Sequence, residues 1–167
     1  MRLDRRSLLV LLENDAANPC IGCGPANPIG LRLAFEGTPE GARASFVAEA
    51  RWQGFPGRMH SAVLYLALVE TLNWSLFART GRMGLPARTG ALEMARRVDV
   101  GATVALEGRV LRVDEDARAA SAEARAATPA GEPIGRLERE YALVDEATFL
   151  VRMGYDALPA GYEGVFR

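Results

Sequence analysis

The sequence predicts an α+β fold in which a curved antiparallel sheet wraps around one long central helix. Three observations carry that prediction. Residues 61–80 run without Gly or Pro and are apolar nearly all round. Several segments before and after them alternate polar and apolar residues with a period of two. Short turns rich in Gly, Pro and Asp join the later segments, which suits a meander.

The central helix is the most clearly delimited element. Gly81 stands where a C-terminal cap belongs. Twenty residues give a rod of roughly 30 Å at 1.5 Å per residue. Val63, Leu64, Leu66, Leu68, Val69, Leu72, Trp74, Leu76 and Phe77 cover most of its surface, as in a helix buried on several sides. Glu70, Thr71, Asn73 and Ser75 interrupt it too often for a membrane span. Which of Tyr65, Trp74 and Phe77 would line a pocket is not fixed by periodicity.

Ahead of that helix, residues 4–13 read as a short amphipathic helix, and residues 16–30 as an ordered loop rich in Gly, Pro and Asn. Residues 31–35 alternate as a strand, and 44–52 do so more loosely. Gly54, Pro56 and Gly57 mark a tight loop. After Pro86, residues 92–98 form an expected strand, 99–101 a turn, and 103–113 a long strand whose apolar phase shifts near Gly108, the mark of a β-bulge. The Ala-rich stretch 119–127 alternates strictly with Ser121, Glu123 and Arg125, and so reads as strand rather than helix. Residues 128–132 form a turn, the stretch around Leu137–Leu143 a last strand, and the tail from Asp145 a short helix ending near Gly154. One domain is expected: residues 1–30 as a lead-in, 31–144 as the core and 145–167 as a tail.

Composition narrows the function classes. The 167 residues are 49% hydrophobic and 25% charged, with a formal charge of −1. Nucleic acid and anionic membrane surfaces are therefore not expected partners. All 20 basic residues are Arg, so any phosphate would be held by guanidinium forks. The apolar run 8–12 is too short for a signal peptide and is followed at once by Glu13, Asn14 and Asp15. A cytoplasmic protein is the expectation.

Cys20 and Cys23 form one CxxC pair. Three readings stand open: structural thiols in a tight turn, a redox pair, or half of a zinc site shared between two subunits. The only other soft ligand in the sequence is His60, so no metal site within one chain is expected.

Two segments carry a resemblance to a known family. Cys20-Ile-Gly-Cys-Gly-Pro-Ala-Asn-Pro-Ile-Gly-Leu31 and Gly54-Phe-Pro-Gly-Arg-Met-His60-Ser-Ala-Val-Leu64 resemble the lead-in loop and the helix-start loop of phenylacetate-type hotdog acyl-CoA thioesterases. Arg97-Val-Asp-Val-Gly101 ahead of the long strand is a weaker third match. In order and spacing the matches span about residues 20–144.

That resemblance implies hydrolysis of a small or medium acyl thioester, carried by CoA or an acyl carrier protein, with no cofactor beyond the thioester substrate. It also implies a site. Backbone amides of Ser61 and Ala62 would bind the thioester oxygen at the helix N-terminus, beside His60. The family places an acid nine residues after the His, where this chain has Val69; Glu70 follows directly, and Asn73 lies one turn beyond Val69. Glu70, His60 and Asn73 are thus the expected catalytic residues, although one residue of helix rotates Glu70 by about 100° from the family position. Arg88, Arg96 and Arg97 are candidates for CoA phosphates. Homodimers or homotetramers would form with sites at the subunit interface. The alternative is a degenerate hotdog protein that binds acyl-CoA or an apolar ligand without hydrolysis. A hydratase reading is weaker, because no Asp lies between Asp15 and Asp99.

Overall fold

The computed structural model describes residues 10–159. Eight strands form one antiparallel sheet: β1 (Val10–Leu11), β2 (Glu36–Gly37), β3 (Gly41–Val47), β4 (Gly84–Thr89), β5 (Glu93–Met94), β6 (Thr103–Asp114), β7 (Ala119–Ala127) and β8 (Pro133–Leu143). Their order is β1-β2-β3-β6-β7-β8-β4, and β5 pairs with β8 as well. β4 takes residues 139–143 of β8 and β5 takes residues 135–136, so the two share one edge of that strand. The helix α1 (Ser61–Thr80) packs across β3, β6, β7 and β8, and a second helix, α2 (Glu146–Met153), is the last element among the described residues. This is the α+β hotdog architecture expected from the sequence.

Side-chain size explains how the helix seats. One i, i+4 row of α1 is Leu64, Leu68, Leu72 and Leu76, all essentially inaccessible. The neighbouring row is small: Ala67, Thr71 and Ser75. That small row lies against Gly108 of β6 and Gly41 of β3, where the backbones come closest. Ser75 Oγ donates to Thr71 O at 2.6 Å and accepts from Ala42 N at 3.1 Å, tying helix to sheet. On β7 the row Ala120, Ala122, Ala124 and Ala126 is buried, which gives the helix a shallow bed. α1 is also long and apolar enough to cross a membrane, but here it is the core helix of the sheet.

The opposite face of the sheet is polar. Glu123 is only 2% exposed there, because Arg109, Arg125 and Arg136 from three adjacent strands converge on it. Arg109 Nε donates to its carboxylate at 3.1 Å and Arg125 Nε at 2.9 Å. Burial pushes the Glu123 carboxyl up, but the bonds from Arg125 and Arg136 outweigh it and hold it below the usual range.

Several expected elements differ. Residues 4–9 of the expected N-terminal helix lie outside the described residues, and at Val10–Leu11 the chain is a strand paired with β2. Residues 31–35 bury Leu31, Leu33 and Phe35 alternately, as expected, yet form no strand ladder. Arg32 adopts a left-handed φ of 49° that breaks the extended path. The segment bonds instead to the cysteine loop, Leu31 N to Ile21 O and Leu33 N to Gly22 O. The expected strand 44–52 begins earlier, at Gly41, and gives way to a 3-10 turn at Ala50–Trp52. Residues 92–98 are strand only at Glu93–Met94. The phase shift foreseen near Gly108 falls between Val110 and Arg112.

Candidate functional site

The site is built where the loop 14–30 lies over the middle of α1. Three asparagines fold that loop. Asn14 Nδ2 donates to Cys23 O at 2.7 Å, Asn18 Nδ2 donates to Asn14 Oδ1 at 3.0 Å, and Asn18 Oδ1 accepts from Cys20 N at 2.9 Å. Asn27 holds the far end, donating to Pro19 O and accepting from Ile29 N. Gly24 N donates to Cys20 O, closing the CxxC turn, and Gly22 N donates to Cys20 Sγ at 3.4 Å.

Glu70 meets this turn from the helix. Its side chain is 8% exposed and crosses directly over Gly22, where an added Cβ would come within 2.2 Å of Glu70 Cγ. One sulfur from each of Cys20 and Cys23 and one carboxylate oxygen of Glu70 lie within 4.8 Å of one another. Both thiols are free, Cys23 buried and Cys20 half-buried. Among the described residues Glu70 has no Arg nitrogen at ion-pair distance, although the Arg139 charge acts on it from farther away.

The electrostatics follow from this crowding. Burial pushes the Glu70 carboxyl up to about 7, and the Cys20 charge adds to the effect. A hydrogen bond from Cys23, with help from the loop amides, lowers Cys20 to about 5 despite its burial. Cys23 moves the opposite way, as the partner that keeps its proton while burial reinforces the rise. Alkylation should expose the difference. In chelator-treated, reduced protein, Cys20 should react with iodoacetamide at a rate that levels off above about pH 6, whereas an ordinary thiol keeps accelerating to about pH 9. Peptide mass spectrometry should find Cys23 unmodified over the same interval.

One turn along the helix, Asn73 Oδ1 accepts from the Tyr141 hydroxyl at 2.9 Å. Burial pushes the Tyr141 phenol up, so it remains a donor. Arg139 points inward beside it on β8, donating to Thr89 Oγ1 at 3.0 Å. Arg139 and Tyr141 escaped sequence reasoning, although inward-facing polar residues on an otherwise apolar strand face were the available signal.

Other predicted residues fall elsewhere. His60 is the N-cap of α1 and exposed; its Nδ1 accepts from Ala62 N at 3.0 Å, and its carbonyl accepts from Val63 N. The Ala62 amide is thus engaged locally, while Ser61 stands exposed at the first helical position. His60 and Glu70 are ten residues apart on one helix, or roughly 15 Å along its axis. Within one chain the fold brings Glu70 near Asn73 and the thiols but not near His60. Arg88, Arg96 and Arg97 lie on the sheet's outer rim, facing Glu140 at 3.7 Å, Glu132 at 2.5 Å and Asp99 at 3.8 Å. Trp74 stacks on Phe35 with ring centres 5.6 Å apart and lines an open groove of about 600 Å³ with Leu12, Cys23 and Leu33. Phe77 packs edge-on against Trp74, and Tyr65 faces outward.

No protein-family model matches the sequence, and no curated protein matches it. Solved structures do match in fold. A thioesterase superfamily protein superposes with a TM-score of 0.65 at 23% identity, over 76% of this chain and 60% of that one, less than two thirds of its length. The PaaI protein of the E. coli phenylacetic acid degradation operon gives 0.59 at 11% identity, over 67% and 83% of the two chains. A hypothetical thioesterase from Streptococcus pneumoniae, solved with coenzyme A, gives 0.60 at 8% identity, over 67% and 85%.

Proposed function

We propose that this chain hydrolyses a small or medium acyl thioester, with CoA as carrier, and that Glu70 is the carboxylate that activates water. The observation that carries this reading is the position of Glu70. It is a buried acid on the core helix, one turn from the Asn73–Tyr141 pair, and no guanidinium of the described residues neutralises it at contact distance. Such a carboxylate keeps its capacity to accept a proton from water. The likeness in fold to thioesterases, one of them solved with coenzyme A, supports the substrate class.

The separation of His60 and Ser61 from Glu70 points to a homo-oligomer. An oxyanion-binding helix start and an acid roughly 15 Å away along the same helix can serve one thioester only if a second copy supplies one of the two. Asn73 would orient the water, the Ser61 amide would face the thioester oxygen, with that of Ala62 joining it once released from His60 Nδ1, and Arg88, Arg96 and Arg97 on the rim would meet the CoA phosphates. The two free thiols accord with a reducing, cytoplasmic setting.

Release of free thiol from a panel of acyl-CoAs tests the reading. Glu70→Gln should lower the rate at least about 100-fold, as loss of a general base does, with the oligomer intact by light scattering. A competing reading rests on Val69, half-buried and apolar at the position the resemblance assigns to the acid. No hydrolysis by the folded wild type, with activity appearing in Val69→Asp, would make the protein a binder of acyl-CoA instead.

A further inference from the structure

We propose that Cys20, Cys23 and Glu70 form a binding site for a single divalent cation of borderline softness, zinc first among them. The sequence alone suggested no such site within one chain, because the CxxC pair lacked a third ligand. The fold supplies it from the helix, 47 residues after Cys23.

Geometry favours the assignment. Zinc–sulfur bonds of about 2.3 Å and zinc–oxygen bonds of about 2.1 Å imply tetrahedral edges of roughly 3.6–3.8 Å. The three donor atoms already lie within 4.8 Å of one another, so a contraction of about 1 Å along the widest edge suffices. They come from two rigid pieces of structure: a turn closed by Gly24 N on Cys20 O, and the middle of the core helix. Within the loop, the Asn14 and Asn18 bonds fix the backbone of Cys20 and Cys23 relative to each other.

The surroundings of Glu70 point the same way. It is more than nine-tenths buried, aims at the two sulfurs, and has no ion-pair partner among the described residues. A buried carboxylate facing thiols costs free energy unless something positive lies between them. The Gly22 amide already donates to Cys20 Sγ, the kind of supporting bond that orients a thiolate ligand. Gly22 itself has no Cβ, which leaves the Glu70 side chain room to reach the turn. Two sulfurs with one carboxylate suit zinc better than magnesium or calcium, which prefer all-oxygen sets. Three protein ligands leave the fourth position of a tetrahedral ion outside these side chains.

Cation binding at this site does not depend on hydrolysis. A metal-loaded chain uses Glu70 as a ligand, and the base role above belongs to the metal-free chain. Binding and thiol release are separate readouts.

The test uses the full chain, reduced with a phosphine, stripped with chelator and confirmed folded by circular dichroism. Zinc is titrated in competition with a chromogenic chelator, and cobalt is added as a spectroscopic probe. One equivalent per chain is expected, and the cobalt form should show sulfur-to-metal charge transfer with tetrahedral d–d bands. Glu70→Gln should weaken zinc more than about 100-fold, beyond the loss typical of an outer-shell change. Cys20→Ser should abolish the charge-transfer band or sharply reduce it. Wild-type affinity in Glu70→Gln would overturn the three-ligand centre, leaving capture by the cysteines alone. A folded, reduced wild type that takes up no stoichiometric zinc would overturn the proposal entirely, whatever the thioester assay shows.

Discussion

Replacing Gly108 with alanine should destabilise the protein by about 3 kcal/mol, the upper end of what a single overpacked methyl costs in a core. The new Cβ would stand 2.2 Å from Ser75 Oγ, 2.9 Å from Thr71 Cγ2 and 3.0 Å from the Thr71 carbonyl. Neither side chain has room to retreat. Ser75 Oγ is committed to the Thr71 carbonyl and the Ala42 amide, and Thr71 Oγ1 to the Ala67 carbonyl. Relief would need α1 to lift off β6, which would undo the leucine row beside it. Gly41 is under the same constraint from the strand side, since its Cβ would meet Gly108 O at 2.3 Å. Urea unfolding of Gly108→Ala should show a lowered midpoint with an unchanged slope. A loss below about 0.5 kcal/mol, well short of an overpacking cost, would mean that the helix does not sit this close to the sheet.

The opposite error in packing should cost about as much. Leu68→Ala removes a side chain with no exposed surface from the middle of α1. Buried Leu→Ala changes typically cost about 3–5 kcal/mol, comprising lost transfer free energy and the cavity left behind. Collapse of α1 onto the sheet is restricted where it packs on β7, whose alanine row offers only methyl groups to move inward. The loss should therefore fall in the upper half of that interval, read from the same urea titration. Leu66→Ala, at a half-buried position on another face, serves as the control and should cost clearly less.

The same packing governs how much of the fold was legible beforehand. α1 was readable to its ends because nothing inside it breaks a helix, and Gly81, at φ 66°, caps it as foreseen. β7 was readable despite its alanines, because polar residues at every second position outweigh propensity when one face is buried. β4 was missed. Pro86 suggests a break, but β4 is an edge strand with a register shift beside that proline, where a missing amide is tolerated. Residues 31–35 show the converse: alternation correctly reported which side chains are buried, but a single left-handed residue, Arg32, removed the ladder.

The site was legible only in pieces. Cys20, Cys23 and Glu70 each stood out by residue type, yet nothing in their spacing joined them. Their meeting depends on the helical phase of Glu70 and on a loop path set by Asn14, Asn18 and Asn27. The one-residue offset from Val69 directs Glu70 toward the cysteine turn, a consequence that a motif comparison registers only as a departure. Arg139 and Tyr141 reach the same region from a strand some seventy residues downstream, which no local pattern reveals.

The single carboxylate of Glu123 also bears on how the sheet finds its alignment. Its three arginines come from β6, β7 and β8, with Arg109 directly opposite it across one strand boundary. Sliding β7 by two residues would put alanine where alanine had been on the helix side, so the apolar core alone would scarcely object. It would, however, carry Glu123 away from Arg109 and leave a nearly inaccessible anion short of a counter-charge. A strand lined with identical alanines has little other means of telling one frame from the next. Glu123 therefore acts as a reading-frame mark, and its removal should show first in misaligned, aggregation-prone chains during folding rather than in the melting of correctly assembled ones.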